Sequence, residues 1–274
     1  MQDVVAFANT YARWSTSLRY AAQFARLQDG SLTGLYVAEP FEPLPAATMP
    51  PVVSETYSIS ADIVREARAV EGSFREWAQG FGLKRYQWLV AEGYLLPVLA
   101  SVGNWHDVLV LESGKASPWD SVGVLGQVLL TCGLPCIVVP QTHARDASCD
   151  RVAVAWNGSA EALRTVHAAL PILRRAKEVV LIRGNPRPVM SSIEWKPPLT
   201  IESYLHWHEV RFSEKTLHAE SGEAGAALLE TARAANAELL VMGAYGRTRF
   251  SEWVLGGATR HVLEHAHLPV FLRH

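Results

Sequence analysis

Short apolar runs separated by stretches of helical period recur along the chain, and they come in the same order when read from Asp3 and again from Arg151. DVVAFANT and RVAVAWNG each run apolar into an asparagine, Asn9 or Asn157. Each is followed by a helix-like stretch and a second apolar run, SLTGLYVAEP or EVVLIRGN. Further on, WHDVLVLE matches AELLVMGA, and CGLPCIVVP matches AHLPVFLRH as a Leu-Pro pair leading into a last strand. Continuous Val/Leu/Ile runs indicate strands covered on both faces, and their alternation with helical patterns predicts an α/β fold of open parallel sheets with helices on both sides. The spacing predicts helices over Ala12–Gln28, Ala61–Gly80, Ala160–Arg175, Gly222–Asn236 and Gly257–His265. The polar stretch QTHARDASCD, Gln141–Asp150, separates a terminal strand from a new initial one and reads as a linker. Two tandem domains follow, over residues 1–140 and 151–274. Proline-rich stretches at Pro40–Pro51 and Asn185–Pro198 come after the second strand of each half and read as connections at the carboxyl edge of a sheet, a lid being the alternative.

Composition narrows the function classes. Hydrophobic residues make up 49% of the 274 and charged residues 19%, enough apolar material for packed cores. The 25 basic and 27 acidic residues nearly cancel, which excludes a general electrostatic nucleic-acid binder. The apolar runs fall far short of the roughly 18 residues that would span a membrane. No basic, apolar leader opens the chain, and three cysteines make no disulfide framework, so the expectation is a cytoplasmic protein without a membrane partner.

The most informative stretch is VMGAYGRTRFSEWVLGGATRHVL, Val241–Leu263. Gly243 ends a buried strand, Gly246 closes a turn, and Gly256 and Gly257 open the final helix. Glycines there let backbone N–H groups approach an anion, and the helix N-terminus adds unpaired donors and partial positive charge. Glycine content alone is equally met by an ordinary turn. The spacing G-x2-G-x9-G between a strand and a helix resembles the nucleotide-binding loop of the universal stress protein family, and the strand-helix outline of both halves extends that resemblance over the chain as a tandem pair. The fold it implies is Rossmann-like, of the adenine nucleotide alpha hydrolase type. The resemblance implies an adenosine site at strand ends Ala155, Trp156 and Asn157, Ile182, Arg183 and Gly184, and Val241, Met242 and Gly243. It implies phosphates on Gly246, Arg247, Gly256, Gly257, Ala258 and Thr259.

Departures from the family pattern bear on that site. Gly257 stands where the family usually offers a hydroxyl, with Thr259 the nearest one downstream. Asn157 stands where an acid is common, and it serves equally as a cap for the next helix. In the first half Glu112 replaces Gly243, a carboxylate that would repel phosphate. Gly114, Lys115, Ala116 and Ser117 lack the spacing of a Walker loop, and Gly123 and Gly126 read as packing positions. The first half is thus expected to be a degenerate, supporting domain.

Other clusters carry less. His206, His208, His261, His265 and His267 lack metal-site spacing, so no metal is expected. Cys132 and Cys136, spaced C-x3-C, read as buried thiols, and Trp105, Trp119 and Trp253 as packing residues. Neither G-x-S-x-G around a serine nor a paired-carboxylate motif that sequence alone can place in a site occurs. The expectation is a binding module taking ATP or a related adenine nucleotide in its second half, with Mg²⁺ arriving on the phosphates. A slow ATPase using the same loop and a nucleotide-free scaffold are the alternatives. The halves are expected to pack through Cys136–Pro140 and Pro269–Arg273 as an intramolecular pseudo-dimer, because an unpaired apolar edge invites aggregation; a further homodimer is left open.

Overall fold

The structure, a computed structural model, describes residues 1–40, 52–114, 122–184, 198–219, 222–244 and 256–274. In the first half the elements are β1 (Asp3–Phe7), α1 (Thr16–Leu27), β2 (Ser31–Ala38), α2 (Val52–Ala69), α3 (Glu71–Gly80), β3 (Arg85–Glu92), α4 (Leu95–Gly103), β4 (Val108–Ser113), α5 (Val122–Thr131) and β5 (Cys136–Pro140). The second half repeats the plan with β6 (Arg151–Trp156), α6 (Ala160–Leu173), β7 (Glu178–Arg183), α7 (Ile201–Trp207), β8 (Phe212–Thr216), α8 (Ala224–Ala234), β9 (Leu239–Gly243), α9 (Gly257–His265) and β10 (Val270–Arg273). The stretch expected as one helix over Ala61–Gly80 is two, α2 and α3, broken at Val70.

All ten strands belong to one sheet in the order β3-β2-β1-β4-β5-β10-β9-β6-β7-β8. Every pairing is parallel except that of β5 with β10, which is antiparallel and joins the halves edge to edge. The open parallel sheets of the two halves thereby join into one continuous sheet.

Strand side chains alternate faces, and both faces are buried. Val4, Ala6, Val108, Val110, Ile137, Val152, Val154 and Val241 pack beneath α1, α3, α6 and α7 in one core. Val5, Phe7, Leu109, Leu111, Ala153, Ile182, Leu240 and Met242 pack beneath α4, α5, α8 and α9 in the other. That double burial is why the strands read as unbroken apolar runs.

Both halves start their first helix the same way. Ser15 caps α1 by accepting the Leu18 N–H at 3.3 Å, and Ser159 caps α6 by accepting the Ala162 N–H at 3.2 Å. These equivalent starts place each helix N-terminus under the carboxyl end of the adjacent strands. Residues 141–150 cross between the halves without helix or strand. Among the described residues no helix is long and apolar enough to cross a membrane.

Candidate functional site

A cavity of about 580 Å³ opens at the carboxyl edge of the second half, between the ends of β6, β7 and β9 and the start of α9. Its size is that of a small-molecule site, for which about 300–1,000 Å³ is typical. Ala155, Trp156 and Asn157 contribute from β6 and the turn after it, Ile182 and Gly184 from the end of β7, and Met242 and Gly243 from β9. Gly256, Gly257, Ala258 and Thr259 close it from α9. Eleven of the residues expected in the site therefore meet in one cavity.

Val241 and Arg183 do not meet there; Val241 is fully buried in the core. Arg183 lies between Ile182 and Gly184, so the two-residue period of a strand turns it to the other face. There it forms ion pairs with Glu202 of α7 and, at 2.8 Å, with Glu214 of β8. Gly246 and Arg247 lie outside the described residues, as do most of both proline-rich stretches, Trp119, Trp253 and Lys115–Ser117.

The helix α9 begins at Gly256 with no side-chain cap and no acid in its first turn. Its first N–H groups point out of the helix with no intrahelical acceptor, as in any helix. Among the described residues a Cβ built on Gly257 would meet nothing within 4 Å, so on that side the backbone stands open to an incoming group. The Thr259 hydroxyl, the nearest one to the helix start, is buried within the cavity wall. This terminus is an anion-accepting end.

Gly243 is glycine for a different reason from the one its position in the loop suggests. A Cβ there would stand 2.7 Å from the Ala162 nitrogen and 2.8 Å from the Glu161 carbonyl carbon. The residue lets α6 approach the end of β9, and its role is packing.

The same location in the first half is built in reverse. Glu112 occupies the position of Gly243, and Ser17 that of Glu161, each two residues after the capping serine. Glu112 is buried, and a carboxylate oxygen accepts the Ser17 N–H at 3.1 Å, so it serves the first turn of α1. Glu161 is likewise buried, in the first turn of α6, and lines the cavity. Each half thus sets one carboxylate at the start of its first helix, delivered by the strand in one and by the helix in the other. In both, the carboxylate complements the helix dipole.

Asn157 divides its carboxamide. The oxygen accepts the Ser159 N–H at 3.1 Å and shapes the turn into α6, which leaves the NH₂ as the group available to a ligand. Leu217, Ala219, Ala224 and Leu228 add an apolar wall that sequence reading did not find, because they follow β8, a polar edge strand.

Among the described residues no three His, Cys, Asp or Glu side chains converge as metal ligands. His261 and His265 stack at 4.3 Å along α9, and the His265 ring bonds the His261 carbonyl. The Cys132 and Cys136 sulfurs lie 3.4 Å apart and buried. Trp105, expected to pack, is 82% exposed.

Residues 149–273 match the model of the universal stress protein family. The second half of the chain belongs to that family. No curated protein matches the chain. Among solved structures, a universal stress protein from Archaeoglobus fulgidus DSM 4304 is similar over 99% of this chain and 96% of its own, with a TM-score of 0.65 and 15% identity. A protein from Pseudomonas aeruginosa PAO1 described as functionally unknown is similar over 100% of this chain and 92% of its own, with a TM-score of 0.57 and 12% identity. At such identities the likeness is one of fold. It covers both halves, whereas the family match covers the second, the half that holds the cavity.

Proposed function

We propose that the second half of this universal stress protein binds ATP or a related adenine nucleotide in the cavity at the ends of β6, β7 and β9, and that the protein acts in a stress response through binding rather than turnover. One observation carries the reading: a ligand-sized cavity with both polar and apolar walls ends on the uncapped N-terminus of α9. A base is accommodated by Ala155, Ile182, Met242 and Leu217, with the Asn157 NH₂ free to meet its edge. The phosphates belong on the α9 side, where backbone N–H groups face them. Glu161 belongs with the ribose, whose hydroxyls donate to a carboxylate. Bound Mg²⁺ would arrive on the phosphates and neutralise part of their charge.

Calorimetric titration with MgATP tests this. The expected stoichiometry is near one per chain, because Glu112 occupies the first half's equivalent position. Gly256→Asp, which places a carboxylate at the α9 terminus, should abolish binding with the fold intact. A stoichiometry near two, or undiminished binding by Gly256→Asp, overturns the assignment.

A further inference from the structure

Where the chain crosses from the first half to the second, residues 142–148 run beside the end of α8 and the turn leading into β10, leaving a cleft of about 560 Å³. It lies at the amino end of β9 and β10, across the sheet from the cavity described above. Four nitrogen-bearing side chains converge on it: His143 and Arg145 from the crossing segment, Arg233 from the last turn of α8, and His267 from the turn before β10.

Two carboxylates also border the cleft, and both are already engaged. Asp146 accepts from the Gln23 side chain at 2.5 Å, and Glu238 accepts from the Ser148 hydroxyl at 2.6 Å and the Arg151 N–H at 3.0 Å. Arg145 and Arg233 are exposed, and among the described residues neither is held in an ion pair. The Nε2 of His143 is buried without a hydrogen-bond partner. Its ring lies 5.8 Å from that of Tyr20 on α1, whose hydroxyl is also buried and unpartnered.

The two imidazoles report the local field. Burial lowers the pKa of both. Arg145 and Arg19 lower His143 further, while the carbonyls of His267 and Arg145 oppose them; Arg233 and Arg145 lower His267 further. The charges acting on either ring are all cationic, although Asp146 and Glu238 border the same cleft.

We propose that this cleft is an anion site, separate from the nucleotide cavity, that takes a small polyvalent anion of the phosphate class. Two guanidinium forks can each engage phosphate oxygens in pairs, and a bound anion would favour the protonated, cationic forms of His143 and His267. The site joins the crossing segment to the second half, so an occupant holds that segment at the edge opposite the nucleotide cavity. It does not depend on nucleotide binding.

The test is a proton NMR titration of the His143 and His267 ring signals between pH 5 and 8, with and without inorganic pyrophosphate, assigned through His143→Gln and His267→Gln. Bound anion should raise both pKa values by about one unit. Because the rings then take up protons on binding, affinity should strengthen as the pH falls from 8 to 6. Arg145→Gln combined with Arg233→Gln, both at exposed positions, should remove the shifts and weaken binding about tenfold or more. The shifts should persist in Gly256→Asp protein, which separates this cleft from the α9 terminus. In that same variant, ATP raising the two values as pyrophosphate does would identify the occupant as a nucleotide's phosphate tail; pyrophosphate alone doing so would identify a free anion. Unmoved histidines, or shifts that survive loss of both arginines, overturn the proposal.

Discussion

Removing the Glu112 carboxylate should destabilise the first half by a predictable amount. The group is buried at 4% exposure and accepts the Ser17 N–H at the start of α1. A hydrogen bond to a charged group contributes about 1.5–3 kcal/mol, and a partly buried charge at a helix N-terminus up to about 2 kcal/mol, the two overlapping here because one contact makes both. Glu112→Ala should therefore cost about 2–3 kcal/mol, a fall in Tm of roughly 4–10 °C for a domain of this size. Glu112→Gln keeps an acceptor and loses the charge, so its loss should be about half as large. The second half supplies a sharper control. Glu112→Gly with Ser17→Glu rebuilds the arrangement of Gly243 and Glu161, and should recover most of the loss seen for Glu112→Gly alone. Differential scanning calorimetry reads all four variants. If Glu112→Ala melts within about 1 °C of the parent, or if adding Ser17→Glu deepens the loss, the carboxylate is not serving the helix terminus.

Two further outcomes follow from contacts already described. Gly243→Ala would press a Cβ onto the α6 backbone at 2.7 Å and should cost about 1–3 kcal/mol, whereas Gly257→Ala, with nothing within 4 Å, should leave unfolding by urea unchanged; equal midpoints for the two would contradict the packing role. The Cys149 thiol is pushed up to about 12, first by burial and then by Glu238 and Asp150. Since the raised value favours the neutral thiol in the folded state, its stabilisation is present below the unfolded pKa near 8.5 and fades as the pH rises above it. At pH 8 roughly one molecule in ten thousand carries the thiolate, so iodoacetamide should label Cys149 far more slowly in native than in urea-unfolded protein; equal rates would refute the burial argument.

What could be read from the sequence follows burial. β1, β4, β6 and β9 were legible because both of their faces are covered, which makes their apolar runs continuous. β3 and β8 were missed because they are the two outer strands, and FSEKT carries almost nothing apolar. With β8 went Leu217 and Ala219 after it, whereas Ala224 and Leu228 sit on a helix the spacing predicted without showing that it faces the cavity. The site was found from strand ends and the helix start, and at the end of β7 the pleat turned Arg183 away from the cavity that Ile182 and Gly184 line. Gly243 shows a different limit: a glycine at the right spacing for phosphate is explained here by α6, which precedes β9 by two strands and belongs to no local motif with it, since Ala162 lies 81 positions before Gly243. Trp105 was assigned to packing on residue type alone, and residue type does not say which side of a turn faces water.

The register of the central strand pair bears on how the two halves can differ at their helix termini. Leu134-Pro135 and Leu268-Pro269 precede β5 and β10, which makes Ile137 the counterpart of Phe271. These two residues pair with each other, while Cys136 pairs with Leu272 and Val138 with Val270. Each flanking residue thus faces the counterpart of the other, the self-complementary pattern of a two-fold interface between two copies of one domain. In a homodimer such an interface obliges both sites to change together, because one gene encodes both. In a tandem chain it does not. Glu112 can fill its helix terminus and contribute to folding while the equivalent place keeps Gly243 and an open α9. The antiparallel junction holds the two halves to each other through buried strands, so one shared sheet carries two differently built helix termini.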